Sequence, residues 1–378
     1  MRRSVCLWAK ALASACVMSL VATAGWSQQQ PSITWLGMLP GYDRGLAWGV
    51  SADGSVVVGG AANAARQARA FRWTAAGGMQ NLGTLGGDQS VAFGVSADGS
   101  VVVGRAYNAA GRPRAFLWTQ ATGMQDLGTL GGRESEALDV SADGSVVVGG
   151  AYNAAEQLRA FRWTQATGMQ DLGTLGGTVS EALGVSADGS IVVGSAHNTA
   201  WQWRAFRWTA AGGMHNLGTL GGDWSAAWDV SADGNVVVGS ARNAAGQLRA
   251  FRWMQATGMQ DLGALGGVGS EALGVSADGS VVVGWAQNAA GQARAFRWTA
   301  AGGMEDLNIT YASLLTSESV LQVATATSPD GRYIAGQGFN AAAGRVEGFL
   351  LDTVPEPASL LALGAGLAGL LGLRRRKQ

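Results

Sequence analysis

SADGSVVVGGAYNAAEQLRAFRWTQATGMQDLGTLGGTVSEA, residues Ser141–Ala182, is the stretch whose reading decides the fold. Its opening serine recurs at Ser51, Ser96, Ser141, Ser186, Ser231 and Ser276, a fixed step of 45 residues, and a degenerate seventh copy begins at Ser328. Each unit holds four short apolar stretches separated by turn signals, as at Ala92–Ser96, Val101–Ala106, Arg114–Thr119 and Met124–Leu130. Ala-Asp-Gly-Ser joins the first two, and an Asp-Gly pair between β-branched runs favours a tight hairpin. Ala-Thr-Gly or Ala-Gly-Gly joins the third and fourth. The second stretch, Val-Val-Val-Gly, is apolar at consecutive positions, as a strand covered on both faces must be. In the third, Arg114, Phe116 and Trp118 share one face and Ala115 and Leu117 the other.

Four antiparallel strands in a unit of roughly 40–45 residues is the arithmetic of a propeller blade. A β-solenoid is the main competitor, but its coils are shorter and lack two hairpins per repeat. Helical repeats are disfavoured because Gly and β-branched residues occupy the periodic positions. The ends of the array predict closure. Ile33–Gly41 aligns with Met79–Gly87, so the N-terminus supplies a fourth strand without the first three. Val323–Asp352 supplies three strands without a fourth. The two fragments add up to one blade, giving a seven-bladed, all-β propeller over residues 28–353 with no free sheet edge at the seam.

Residues 1–27 read as a secretory signal, with Arg2, Arg3 and Lys10, an apolar run Ala11–Ala22, and cleavage after Ala24 or after Ser27. A lipoprotein reading around Ala13–Cys16 is weaker, since Ala13 stands where leucine is expected. Both cysteines, Cys6 and Cys16, lie in this leader, so the exported body carries no thiol and no disulfide. At the other end, residues 354–378, Val354-Pro355-Glu356-Pro357 precedes the apolar stretch Ala358–Leu373 and the cluster Arg374-Arg375-Arg376-Lys377. A plain membrane anchor accounts for the apolar run and the basic cluster, which would stay on the cytoplasmic side. The whole arrangement closely resembles the PEP-CTERM sorting signal of Gram-negative bacteria. That resemblance implies export, transient residence of a short helix in the inner membrane, recognition by an exosortase, and delivery to the cell surface or exopolysaccharide matrix. The repeats resemble bacterial extracellular HAF-repeat proteins over nearly all of residues 33–352. Arg-Ala-Phe (Arg69, Arg114, Arg159, Arg204, Arg249, Arg294) stands where that family has His-Ala-Phe, and Glu347-Gly348-Phe349 in the seventh copy. The resemblance implies an exported propeller and brings no catalytic activity.

Removing both ends leaves 19 arginines and no lysine against a larger number of carboxylates. A mildly acidic, lysine-free body argues against nucleic acid or anionic lipid as partner. With only His197 and His215, no metal-ligand spacing or Ser-His-Asp set is present, and no cofactor is expected. The aspartates at Asp53, Asp98, Asp143 and Asp188 read as turn formers rather than calcium ligands. Glu136, Glu181 and Glu271 share one repeat position, as do Asp126, Asp171, Asp261 and Asp306. Residues repeated from blade to blade read as structural, because an active site breaks symmetry. The repeated asparagines from Asn63 to Asn340 read as loop stabilisers.

Variation among the copies gathers after the second strand (65–68, 155–158, 200–203) and after the fourth (88–89, 133–134, 178–179, 223–224). Those connections emerge on one face of a propeller, and loops on a rigid scaffold commonly carry function. On that face Trp201 and Trp203 are expected in one loop with His197 nearby, and Asp223 and Trp224 in the next, as three exposed tryptophans forming a carbohydrate-contact patch. Local loop packing is the bland alternative. Trp285 and the insertion Asn308–Val320 are expected to project from the same face. The expectation is a non-enzymatic, exported surface or matrix protein that binds polysaccharide or a matrix partner. A purely structural matrix protein is the alternative, and a polysaccharide hydrolase or lyase comes third. An asymmetric cluster of acids at the central channel would favour the enzyme, and the repeat pattern shows none.

Overall fold

The computed structural model describes residues 30–65 and 67–354, so the leader, Pro355, Glu356, Pro357 and the apolar tail lie outside the described residues. Seven four-stranded antiparallel sheets form a seven-bladed propeller. The inner strands of blades 1 to 7 are Arg44–Val50, Gly86–Val95, Gly131–Val140, Gly176–Val185, Gly221–Val230, Gly266–Val275 and Val320–Thr327. All seven line one central cavity. In blade 7 the N-terminal strand Ser32–Trp35 pairs as the outer strand with Arg345–Asp352, the closure expected from the ends of the sequence. Trp35 meets Phe349 edge-on at 6.2 Å across this seam. Arg332 binds both carboxylate oxygens of Asp352 at 2.7 and 2.8 Å, tying down the last strand immediately before the sorting motif.

The hairpins explain the constant Ser-Ala-Asp-Gly-Ser. In blade 4, Ser186 Oγ donates to Asp188 Oδ1 (2.7 Å) and accepts from Ile191 N (3.0 Å), while Ser190 N donates to the same carboxylate oxygen. Hydrogen bonds to the ionised form hold these carboxyls low, Asp98 at about 2, led by the bond from Ser96.

The core is a ring of inter-blade layers. Val146 and Val148 of blade 3 pack on Ala182, Val192 and Phe206 of blade 4. Each third strand contributes a fully buried phenylalanine, Phe71 through Phe349. The glycine ending Val-Val-Val-Gly makes room for it: a Cβ on Gly194 would lie 2.9 Å from Phe206 and 2.0 Å from the Glu181 carbonyl. Buried serines stitch blade to blade. Ser180 Oγ accepts from Ala160 N (2.9 Å) of the previous blade and donates to Gly173 O (2.6 Å). Ser90, Ser135, Ser225 and Ser270 repeat the device. In blade 7 Asn308 pairs instead with both backbone groups of Leu321.

Two expectations need correction. The variable pairs after the fourth strand are not loops: the outer strands are only four residues long, and 133–134, 178–179 and 223–224 already lie inside ten-residue inner strands. The double glycine makes this early entry possible. A Cβ on Gly177 would meet that of His197 at 2.6 Å, so only glycine lets the chain turn inward there. Trp285 also leaves the expected face. It lies inside the second strand of blade 6, opposite Glu271, where strand alternation directs it between blades.

Candidate functional site

The turn joining second and third strands has the same backbone design in blades 2 to 6. In blade 4, Asn198 Oδ1 accepts from Ala200 N (2.9 Å) and Gln202 N (3.0 Å), and Trp201 N donates to Asn198 O (3.0 Å). Asn108, Asn153, Asn243 and Asn288 act alike. The last turn position has positive φ, and blades 2, 5 and 6 place Gly111, Gly246 and Gly291 there. Blade 4 places Trp201 there with φ 58°, and blade 3 Glu156 with φ 54°. A left-handed backbone costs a residue with a Cβ roughly 1–2 kcal/mol. Trp201 is also 64% exposed.

His197 and Trp203 face each other across the two strands that this turn joins, with ring centroids 4.2 Å apart, and Trp201 lies 6.0 Å from the same imidazole. The structure thus brings His197, Trp201 and Trp203 together. It corrects their expected exposure: Trp201 alone of the three tryptophans is exposed, because Trp203 is half-covered by His197. Trp203 and His197 belong to strands, and so do Asp223 and Trp224, at the start of the blade 5 inner strand. Trp224 is half-buried and makes no ring contact among the described residues. Asp223 borders the group: its carbonyl accepts from Arg204, and its carboxylate pairs with Arg242 at 3.3 Å.

A second constellation was missed by reading repeats as structure. One inner-strand position reads Gly49, Gly94, Asp139, Gly184, Asp229, Gly274 and Ala326 around the ring. Asp139 and Asp229 line the central cavity, whose volume is about 190 Å³, with Trp48, Leu138, Trp228 and Thr325 among the other lining residues. Each carboxylate accepts from the next residue's N–H and from the following blade: Asp139 from Val140 N (2.8 Å) and Val185 N (2.9 Å), Asp229 from Val230 N (2.7 Å) and Val275 N (2.9 Å). Burial pushes Asp139 up to about 7. Burial, with the like charge of Asp139 adding to it, pushes Asp229 up to about 8. The signal that could have found them is the glycine-to-aspartate change at two of seven equivalent positions.

The repeated glutamates lie between blades. Glu136 pairs with Arg105 of blade 2 at 3.0 Å, and burial still raises its carboxyl. Glu181 packs over Gly150, and burial, helped by Glu136, raises it to about 7. Among the described residues no group of three or more His, Cys, Asp or Glu side chains has the geometry to hold a metal ion. Among them, too, no helix is long and apolar enough to cross a membrane.

Comparison with known proteins bears on the tail and the fold. Residues 353–377 match the family model for the PEP-CTERM protein-sorting motif. No curated protein matches the chain. Among solved structures, the β-propeller domain of the trilobed protease from Pyrococcus furiosus aligns with TM-score 0.56 and 10% identity over 83% of this chain and 98% of that one. Puromycin hydrolase aligns with TM-score 0.50 and 15% identity over 83% of this chain and 56% of that one. TolB from Acinetobacter baumannii gives a TM-score of 0.46 at 12% identity, covering 91% and 69% of the two chains. At such identities the likeness concerns fold alone. The resemblance of the repeats to HAF proteins remains one of sequence pattern. The molecule is a seven-bladed β-propeller carrying a PEP-CTERM sorting signal, which marks it for export and exosortase processing.

Proposed function

We propose that the exported propeller is a non-enzymatic, cell-surface or matrix protein that binds polysaccharide through the aromatic group of blade 4. The single observation that carries this reading is Trp201: a bulky apolar side chain held 64% exposed, on a left-handed backbone that three sister turns give to glycine. Strain and exposed apolar area both work against stability, and such outliers cluster at ligand-contact sites. The indole beside His197 and Trp203, with the amide of Gln202 and the Asp223–Arg242 pair at its border, offers a flat apolar face rimmed by polar groups, which suits a sugar ring.

The test is binding of the purified exported protein to exopolysaccharide from the producing cells. Saturable binding that falls at least about tenfold in Trp201→Gly, a loss of more than about 1.4 kcal/mol, supports the reading. Undiminished binding in that variant ends it. The hydrolase reading gains one observation, the Asp139 and Asp229 pair with carboxyls raised to about 7 and about 8, since glycoside hydrolysis uses paired carboxyl groups. Both carboxylates, however, are engaged by backbone N–H groups. Shortened chains in the same incubation, absent with Asp139→Asn, would replace the binding reading with the enzymatic one.

A further inference from the structure

The residue before each turn asparagine lies at the end of the second strand, next to last in blades 2 to 7, and its surroundings repeat around the ring. A Cβ on Gly87 would meet Tyr107 Cβ at 2.7 Å, one on Gly177 His197 Cβ at 2.6 Å, and one on Gly222 Arg242 Cβ at 2.7 Å. On Gly132 it would meet the Tyr152 backbone at 2.6 Å. These side chains therefore leave equivalent points on the same face of successive blades. Each also pairs with the first residue of the third strand: Tyr107 with Pro113, Tyr152 with Leu158, His197 with Trp203. Blades 2, 3 and 4 thus present three consecutive half-exposed rings at one radius, each backed by an apolar partner. The row ends on either side, at Ala62 of blade 1 and at Arg242 of blade 5; Phe339 of blade 7 stands beyond the gap. Two ion pairs accompany it, Arg133–Glu156 at 3.3 Å within blade 3 and Arg242–Asp223 at 3.3 Å at the blade 5 end.

Resting on the binding reading above, we infer that Tyr107, Tyr152 and the His197–Trp203–Trp201 group form one arc of ring-stacking subsites for an extended, neutral polysaccharide. An uncharged chain fits because the charges of these two ion pairs cancel, and an acidic chain would approach a body that is itself acidic. A linear chain fits because equivalent points on successive blades are regularly spaced, so successive rings can each stack on a separate sugar. Linking weak contacts along one ligand raises affinity with chain length without any new contact type. Blade 4 is the anchor, since only there does a turn residue add a second exposed ring.

The experiment uses the exported protein and neutral oligosaccharides cut from the producing cells' exopolysaccharide, graded by length. Affinity is expected to rise about tenfold or more between fragments of about two and about six sugars. Tyr107→Ala and Tyr152→Ala should remove most of that gain and leave short-fragment affinity within about twofold, with thermal unfolding monitored to confirm an intact propeller. Trp201→Gly should weaken binding at every length. Affinity independent of length, or tyrosine variants that keep the full gain, would overturn the arc while leaving the blade 4 site standing. A protein that binds none of the fragments would overturn both.

Discussion

Blades 4 and 5 are neighbours built on one repeat pattern, yet they break it at opposite ends. At the upper turn, Asn198 and Asn243 make the same backbone hydrogen bonds, but blade 4 carries Trp201 where blade 5 carries Gly246. At the channel, blade 4 carries Gly184 where blade 5 carries Asp229. Between these points the blades share their buried framework, down to Phe206 and Phe251, both fully enclosed. The difference teaches that the repeated positions specify a disc and that individuality is confined to positions where a local rule is broken. Consistency across levels makes a fold, and departures from it mark places that do something else.

The strongest way to break this comparison is through the shared framework. Phe206→Ala and Phe251→Ala should each cost about 3–5 kcal/mol, by the same amount within error, in denaturant unfolding. Clearly unequal costs would mean that the blades are not interchangeable scaffolds.

The channel sharpens it next. Asp139 and Asp229 bind protons more tightly in the folded chain than an ordinary carboxyl with a value of 3.8. Their protonated forms therefore favour folding: this stability is fully present below about pH 4 and is lost as pH rises through about 7 to 8. Asp229→Gly, which gives blade 5 the residue of blade 4, should reduce the loss of thermal stability between about pH 5 and about pH 9 by the equivalent of a few kcal/mol. An unchanged pH profile would show that the carboxylate is not the linked group.

The smallest effect lies at the turn. Trp201→Gly should raise stability by about 1 kcal/mol while weakening glycan binding, and Gly246→Trp should lower stability by a similar amount, read as opposite shifts in thermal midpoint. A Trp201→Gly variant that is less stable than the wild type would mean that the indole is a packing element rather than a presented surface.

Much of this was legible in the sequence because it is local. Asp-Gly hairpins, the Val-Val-Val-Gly strand and the step between serines each specify structure within one unit, and the mismatched ends foretold the Ser32–Trp35 strand closing blade 7. The aromatic group of blade 4 was also legible, since His197, Trp201 and Trp203 lie on one hairpin. Its exposure was not. Whether a tryptophan is presented or half-covered depends on the ring across the strand pair, and the early start of the inner strand depends on the glycine pair meeting the strand beside it. The channel acids left a mark in the sequence, aspartate at two of seven equivalent positions, but their burial on one axis follows only from the assembled ring. Asp139 meets Val185 and Asp229 meets Val275 across a blade boundary, 46 residues away in each case. Chain periodicity fixes what each blade is. Closure of the ring decides which side chains face a shared, desolvated axis, because that environment exists only when seven inner strands stand together.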